Sequence, residues 1–374
     1  MDAEKLNVAL ADRLAANGEL NDPAWRAALL AVPRHRFVPD VAWARPDDGP
    51  AYRIDRTGDP GGWLAAAYAD HAIITQFDDG ATAVGAGSGR YTSSLSAPGV
   101  VLDFLELLAP EPGHRVLEIG TGPGWTAGLL AHRLGDAGVT SVEIDPQVLA
   151  TAAANLRALG RRPGLVLGDG AGGRAGGAPY DGVHVTCGVH TVPHAWVRQT
   201  RPGGVIVLPW MPRYAPGHQL RLTAGPAGTA SGHFAGSATY MPLRGQRSAP
   251  APRFTGDFRR RTAEIPPETI FRAAYGADVA IAGTLPDVHA SVAADNGFEV
   301  WLWAGDSLAY GAGSHIAETG PRNLWNEVER AFGRWLEWGR PERSRFGMTV
   351  SPVGQHVWLD SPGNPLAKGH GPSG

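Results

Sequence analysis

The stretch Arg115-Val116-Leu117-Glu118-Ile119-Gly120-Thr121-Gly122-Pro123-Gly124-Trp125 constrains this chain most. Val116, Leu117 and Ile119 make a short apolar run of the kind that fills a buried strand. Three glycines at alternate positions follow, and a helical apolar pattern starts at Trp125. Glycine reaches positive φ without strain and leaves the backbone open to a ligand. The helix then aims its first N–H groups at whatever lies over the turn. Strand, glycine turn and helix start together form a fold element and a candidate cradle for a nucleotide-like ligand. An αβ turn that binds nothing is the plain alternative.

Details of the turn narrow the ligand. A dinucleotide fingerprint reads G-x-G-x-x-G, and here the third glycine comes one residue early. Glu118 stands two residues before the first glycine, where an acid opposes a pyrophosphate and suits a cation. Both features favour S-adenosylmethionine over a nicotinamide dinucleotide.

From residue 115 onward, apolar runs and helical patterns alternate. Strands are expected at 115–119, 138–143, 164–168, 182–186 and 204–208, with helices at 124–134, 146–159 and 193–200. Such alternation implies a parallel sheet with helices on both faces and ligands at the carboxyl ends of its strands. Acids stand at those ends. Glu143 is placed to accept ribose hydroxyls, and Asp169, between Gly168 and Gly170, to accept from an adenine amino group. One such acid alone is more simply a helix cap. Three at successive strand ends point to a ligand.

Two helices are expected before the sheet. One covers 3–16 on Leu6, Leu10 and Leu14. The next starts at Asp22-Pro23, an N-cap followed by a first-turn proline, and carries Trp25, Leu29 and Leu30 inward. Residues 44–93 carry little periodicity beyond a strand at 72–77 and an exposed loop at 78–89, so they read as a variable lid or insert near a substrate mouth. Ser93, Ser94 and Ser96 precede a helix led by Pro98. Capping that helix explains one serine, not three.

His184, Cys187, His190 and His194 mimic a metal-ligand spacing. They cross from a buried strand into a loop, so their side chains diverge. No metal is expected, and Cys187 and His190 are candidates to line the pocket. Cys187 is the one cysteine, which rules out an intrachain disulfide. A net charge of −3 supplies no basic field for nucleic acid. No apolar run approaches a membrane span, and the first residues lack a signal pattern, so a cytoplasmic protein is expected.

At 374 residues the chain has room for two domains. The strand–helix rhythm stops after Pro209. Beyond it come a strand at 219–223, a strand at 298–303, a helix from Pro321 to Gly339 on Leu324, Val328, Phe332 and Trp335, and a hairpin at 345–360 turning around 352–354. The expected division is 1–215 and 216–374, and the last dozen residues are expected to be disordered.

Over roughly residues 1–215, with 44–93 left out, the sequence resembles the protein-L-isoaspartate O-methyltransferase family. Val32-Pro33-Arg34-His35-Arg36-Phe37-Val38-Pro39 is similar to that family's VPRxxFVP segment. Ser94-Leu95-Ser96-Ala97-Pro98 is similar to its T/S-I-S-x-P motif. Val116 to Gly124 is similar to its cofactor loop, and Gly168-Asp169-Gly170 with Ala178-Pro179-Tyr180-Asp181 to its GDG and APYD pair. The resemblance implies an α/β fold: a Rossmann-like class I methyltransferase sheet, followed here by a smaller α+β C-terminal domain. It implies S-adenosyl-L-methionine as cofactor and Ser96 as active-site serine, with Ser94 beside it. Glu118, Gly120, Gly122, Glu143, Asp169 and Gly170 match cofactor contacts. Their neighbours Thr121, Gly124, Trp125 and Ile144 join the expected cofactor set.

Departures from the family bear on the substrate. The chain adds about 150 residues, close to a domain by length. Thr186-Cys187-Gly188-Val189-His190 replaces an alanine-rich segment. The RFGxTV and GQxVWLD hairpin resembles actinobacterial relatives that methylate an aspartate of a lanthipeptide-type ribosomal peptide. The resemblance therefore implies a carboxyl O-methyltransferase whose partner is a peptide or protein carrying aspartate or isoaspartate, with 216–374 recognising it. The product ester would close to a succinimide and open to isoaspartate or aspartate. A carboxylate is already anionic at neutral pH, so such a transfer needs no general base. The rival expectations are repair of isoaspartate in damaged proteins and a non-catalytic, cofactor-bound peptide-binding module.

Overall fold

The computed structural model describes residues 2–248, 257–294 and 297–366. The tail expected to be disordered falls mostly outside them. The chain forms two compact units, 1–187 with 195–208, and 188–194 with 209–374. The division falls a few residues before the expected one, because the end of the last parallel strand and the 188–194 segment are hydrogen-bonded within the second unit.

The first unit opens with helices α1 (Ala3–Ala16) and α2 (Pro23–Ala31). Asp22 caps α2 by accepting from the Ala24 N–H at 2.8 Å, as its sequence predicts. Trp25, Ala28 and Leu29 are buried, but Leu30 is 36% exposed. The expectation that Leu30 faces inward fails because one residue is a 100° step around a helix, which turns it off a stripe set by 25, 28 and 29.

Residues 44–93, expected as a variable insert with one strand at 72–77, keep that strand and are otherwise more regular than their sequence suggests. Strands β1 (Val41–Arg45), β2 (Tyr52–Asp55), β3 (Ala72–Phe77) and β4 (Tyr91–Leu95) form an antiparallel sheet ordered β2-β1-β3-β4, with helix α3 (Pro60–Ala67) between β2 and β3. Asp59 caps α3 through the Gly62 N–H, so Asp-Pro starts this helix as it does α2. The strands are short and α3 begins with two glycines, so neither period stands out in the sequence.

The parallel sheet follows helix α4 (Pro98–Leu108). Its elements are β5 (Val116–Ile119), α5 (Trp125–Leu134), β6 (Val139–Glu143), α6 (Pro146–Ala158), β7 (Gly164–Leu167), β8 (Tyr180–Val185), α7 (His194–Gln199) and β9 (Thr200–Trp210). The order is β7-β6-β5-β8-β9, every pair parallel. The chain winds outward from β5 to β7, then returns to β8 on the other side of β5. With right-handed crossovers, the two windings put helices on opposite faces. The reversal between β5 and β8 opens a crevice at the carboxyl ends of those strands, where ligands bind in this architecture.

The second unit is sheet-rich. Strands β10 (His218–Ala224) and β11 (Ala230–Ser237) pair antiparallel. Strand β12 (Arg259–Thr262) and helices α8 (Pro267–Phe271) and α9 (Tyr275–Thr284) follow. Strands β13 (His289–Ala293), β14 (Glu299–Ala304), β15 (Ser307–Ala312) and β16 (His315–Thr319) complete a sheet ordered β12-β16-β15-β14-β13. Helix α10 (Leu324–Glu337) buries Leu324, Val328, Phe332 and Trp335, the stripe its sequence predicts. The expected hairpin is β17 (Phe346–Ser351) with β18 (Gly354–Leu359), and β17 also pairs with β11.

Candidate active site

The glycine turn at the end of β5 takes a conformation that other residues resist. Gly122 and Gly124 hold φ of +53° and +98°. A Cβ on Gly122 would stand 3.1 Å from the Ser94 carbonyl oxygen. The end of β4 therefore lies against the turn within the first unit.

The three serine hydroxyls of this segment differ in their partners. Ser93 is buried and accepts from the Thr75 hydroxyl at 3.1 Å. Strand alternation turns Ser94 to the opposite side. Ala97, not a serine, is the N-cap of α4, and no side chain of its own segment caps it. The Gly99 N–H donates instead to the Asp70 carboxylate at 2.9 Å. Ser94 and Ser96 are half-buried, and among the described residues neither hydroxyl has a hydrogen-bond partner.

Two residues outside the expected site set hold this strand in place. Arg34 is fully buried, and its guanidinium donates to the carbonyls of Ala67 at 2.9 Å, His71 at 2.7 Å and Ser96 at 3.0 Å. It also lies 5.3 Å from the centre of the Trp125 ring, and burial pushes its pKa down. Gln76 accepts from Thr92 at 2.9 Å and donates to Asp145, just beyond β6, at 3.2 Å. In sequence, Arg34 stands out as the arginine of the VPRxxFVP-like segment, without a role attached to it.

The three strand-end acids are not equivalent. Glu143 ends β6 with its carboxylate against the turn, accepting from the N–H groups of Gly122 (3.0 Å), Ile144 (2.9 Å) and Asp145 (3.0 Å). Burial pushes its pKa above the usual carboxylate range, and the three donors oppose that rise. Asp169 is exposed. One of its oxygens accepts from the Ala171 N–H at 2.9 Å, capping the short turn that Gly170 opens, and the other stays open.

Glu118 does not face the crevice. It is fully buried and aligned across the sheet between Ser141 and His184. The Ser141 hydroxyl donates to its carboxylate, and the Thr121 hydroxyl lies 2.7 Å from that of Ser141. A cofactor contact at Glu118 would have to reach a carboxylate with no exposed surface in this structure. Strand side chains leave the sheet on alternate faces, and on its face this acid is covered and linked to Thr121 of the turn through Ser141. The Trp125 side chain also points away from the turn. Its indole N–H donates to the Val32 carbonyl at 3.0 Å, which leaves only its backbone N–H at the start of α5. Gly120, closing β5, is held by the Thr186 hydroxyl, which bonds to its carbonyl. Ile144 is half-buried beside Glu143.

The two expected pocket residues part company. Cys187 is half-buried; burial, then Glu143 and Asp169, raise its thiol pKa, which puts it within the field of both acids. His190 belongs to the second unit, where its Nε2 meets Arg213 at 3.1 Å. Burial, Arg213 and His289 lower its pKa to about 4. Among the described residues, no three His, Cys, Asp or Glu side chains are grouped to hold a metal ion.

The profile of the family described as Protein-L-isoaspartate(D-aspartate) O-methyltransferase matches residues 63–247. A protein-L-isoaspartate O-methyltransferase of Methanopyrus kandleri is 33% identical over 203 residues, 54% of this chain and 74% of that protein. This chain belongs to the protein-L-isoaspartate O-methyltransferase family. A member from Methylorubrum extorquens is 33% identical over 233 residues, 62% of this chain and 84% of its own length. A solved structure named protein-L-isoaspartate O-methyltransferase has a TM-score of 0.56 at 20% identity and covers 95% of this chain and 100% of that one. That likeness in fold extends past the methyltransferase sheet into the C-terminal half. Members of the family are enzymes, and the fold is a Rossmann-like class I methyltransferase with an additional sheet-rich C-terminal region.

Proposed function

We propose that this chain methylates the side-chain carboxylate of an aspartyl or isoaspartyl residue in a peptide or protein, using S-adenosyl-L-methionine. The observation that supports the reading is the approach of the Ser94 carbonyl to Gly122, in a segment where the hydroxyls of Ser94 and Ser96 have no partner among the described residues. The residues present suit the cofactor. Glu143 keeps one of about four lone-pair positions for a ribose hydroxyl. Asp169 keeps one oxygen for a base amino group, and the start of α5 keeps backbone N–H groups. When bound, the cofactor supplies a methyl group activated by a sulfonium.

The chain's own work is placement. Ser94 and Ser96 donate hydrogen bonds that orient the incoming carboxylate, while Arg34 fixes the Ser96 backbone. The neighbouring walls at Ile144 and Cys187 exclude water from the nucleophile.

A second reading concerns which peptide is used. The hairpin sequence at 345–360 favours an aspartate of a ribosomally made, lanthipeptide-type precursor, recognised by residues 216–374. The likeness in fold to a protein named as an isoaspartate methyltransferase favours repair. Mass spectrometry on matched aspartyl and isoaspartyl peptides separates them. Preference for generic isoaspartyl peptides supports repair, and methylation confined to aspartate in a structured precursor supports tailoring. Tight cofactor binding without transfer to any carboxyl peptide would remove both.

A further inference from the structure

Strand β3 runs irregularly against β4. The pairs Ile74–Ser94 and Gln76–Ser93 enclose one extra residue, Thr75, and the pairs Gln76–Ser93 and Phe77–Tyr91 enclose Thr92. Such bulges re-aim a side chain that strict alternation would send elsewhere. Gln76 stands between the two and is buried. Both ends of its amide are occupied. Oε1 accepts from the Thr92 hydroxyl at 2.9 Å, and Nε2 donates to Asp145 Oδ2 at 3.2 Å. The backbone just beyond is held against its own preference. Asp78 and Asp79 have φ of +49° and +56°, in the left-handed region that most side chains avoid. Asp78 accepts from the Thr82 hydroxyl at 2.7 Å and the Arg90 N–H at 2.9 Å, and the Asp79 N–H donates to Thr92 Oγ1 at 3.0 Å. A Cβ on Gly80 would stand 3.4 Å from Gln76 Nε2 and 3.6 Å from Gln147 Oε1, so this turn lies against the start of α6. Strain of this kind persists where the surroundings over-determine it.

Asp145 carries the tie onward. Its Oδ1 caps α6 by accepting from the N–H groups of Gln147 (2.9 Å) and Val148 (3.2 Å), and its own N–H donates to Glu143 Oε1 at 3.0 Å. Glu143 Oε2 in turn accepts from the Gly122 N–H at 3.0 Å, and Gly122 is the residue that the Ser94 carbonyl approaches. The hairpin that leads into Ser94 and Ser96 is thus tied to the acid at the end of β6 in two places. One is a packing contact at Gly122. The other is a directional bond from a buried amide, which fixes register as well as distance. Every residue in this chain of contacts belongs to the first unit.

We infer, on the carboxyl methyltransferase reading above, that Gln76 is a positioning residue for methyl transfer, fixing the β4 serines relative to Glu143 through Asp145. A ribose held at Glu143 then stiffens β4, and the placement of the serines sets turnover more than affinity.

The test compares the full chain with Gln76→Met, Gln76→Glu and the double variant Q76E/D145N. Methionine removes both amide bonds at similar length, and glutamate alone sets a second carboxylate against Asp145. The double variant reverses the pair: an amide at 145 donates to a carboxylate at 76, which still accepts from Thr92, and asparagine keeps the α6 cap. Three quantities are read: kcat and KM for a carboxyl peptide that the wild type methylates, the dissociation constant for S-adenosylhomocysteine, and amide hydrogen exchange at 91–96 with and without that product. Q76M and Q76E should lose roughly tenfold or more in kcat, with KM and product affinity nearly unchanged, and Q76E/D145N should recover most of the loss. The product should slow exchange at 91–96 in the wild type and the double variant, and not in Q76M. An unchanged kcat in folded Q76M, or a double variant no more active than Q76E, would overturn the inference. So would parallel loss of turnover and product binding, as general unfolding produces. A wild type that methylates no carboxyl peptide would sink the functional reading and with it a role in transfer, while product-dependent exchange would still decide whether Gln76 links Glu143 to the serine strand.

Discussion

Replacing Glu143 by glutamine separates binding from folding at this site. The carboxylate takes two N–H groups on Oε1, from Ile144 and Asp145, and one on Oε2, from Gly122. A glutamine keeps the two-donor contact by turning its oxygen toward Ile144 and Asp145. Its NH2 then faces the Gly122 N–H and the position left for a ribose hydroxyl. The ligand loses one hydrogen bond to a charged acceptor, worth about 1.5–3 kcal/mol. That converts to a roughly tenfold to 150-fold weaker dissociation constant. Folding stability should move far less. The lost Gly122 contact is offset because the amide escapes the burial that raises the Glu143 pKa. Calorimetric titration of S-adenosylhomocysteine, with urea unfolding of the free protein alongside, reads both effects. Unchanged affinity, or affinity lost only together with the fold, would refute Glu143 as a ligand acceptor.

Arg34→Lys retains the charge but cannot reach the Ala67, His71 and Ser96 carbonyls together. Each buried carbonyl left unpaired costs about 1–3 kcal/mol. Urea unfolding should show that loss, and kcat should fall more than cofactor affinity because Ser96 is what moves; an unchanged kcat in folded protein would contradict this. Asp278 is buried on α9, and burial raises its pKa to about 7 against the opposing pull of Arg343. The folded carboxyl holds its proton more tightly than the unfolded one, so its contribution is full below about pH 4 and is lost as pH rises through about 7. Asp278→Asn should therefore be more stable than wild type at pH 8, by at most about 4 kcal/mol, with no difference near pH 4. A wild type that is more stable at pH 8 would show instead that Asp278 is held as an ion pair with Arg343.

How far the sequence could be read depended on whether local pattern or distant contact fixed each residue. The strand–helix alternation from 115 to 208 was legible because buried parallel strands are continuous apolar runs between glycine turns. The α10 stripe and the β17–β18 hairpin were legible from period alone. The 41–95 sheet was not, since its strands are short and α3 starts with Gly61-Gly62. At the site, position at a strand end located Glu143 and Asp169. The same pattern could not tell that Glu118 is fully covered on its face of the sheet or that the Trp125 indole turns toward Val32. Arg34 and Gln76 were missed because their roles lie in contacts with residues far along the chain. The extra half was read as a mark of a tailoring branch. That reading rests on the 345–360 hairpin together with the added length, and the likeness of a solved structure at 20% identity speaks to the fold of this half and not to its substrate.

A crystal structure with S-adenosylhomocysteine and a carboxyl peptide tests the central claim most directly. The ribose is predicted at Glu143, the base toward Asp169, and the sulfur facing a peptide carboxylate held by Ser94 and Ser96. A nucleoside lodged away from the β5–β8 crevice, or serine hydroxyls turned from the carboxylate, would contradict it.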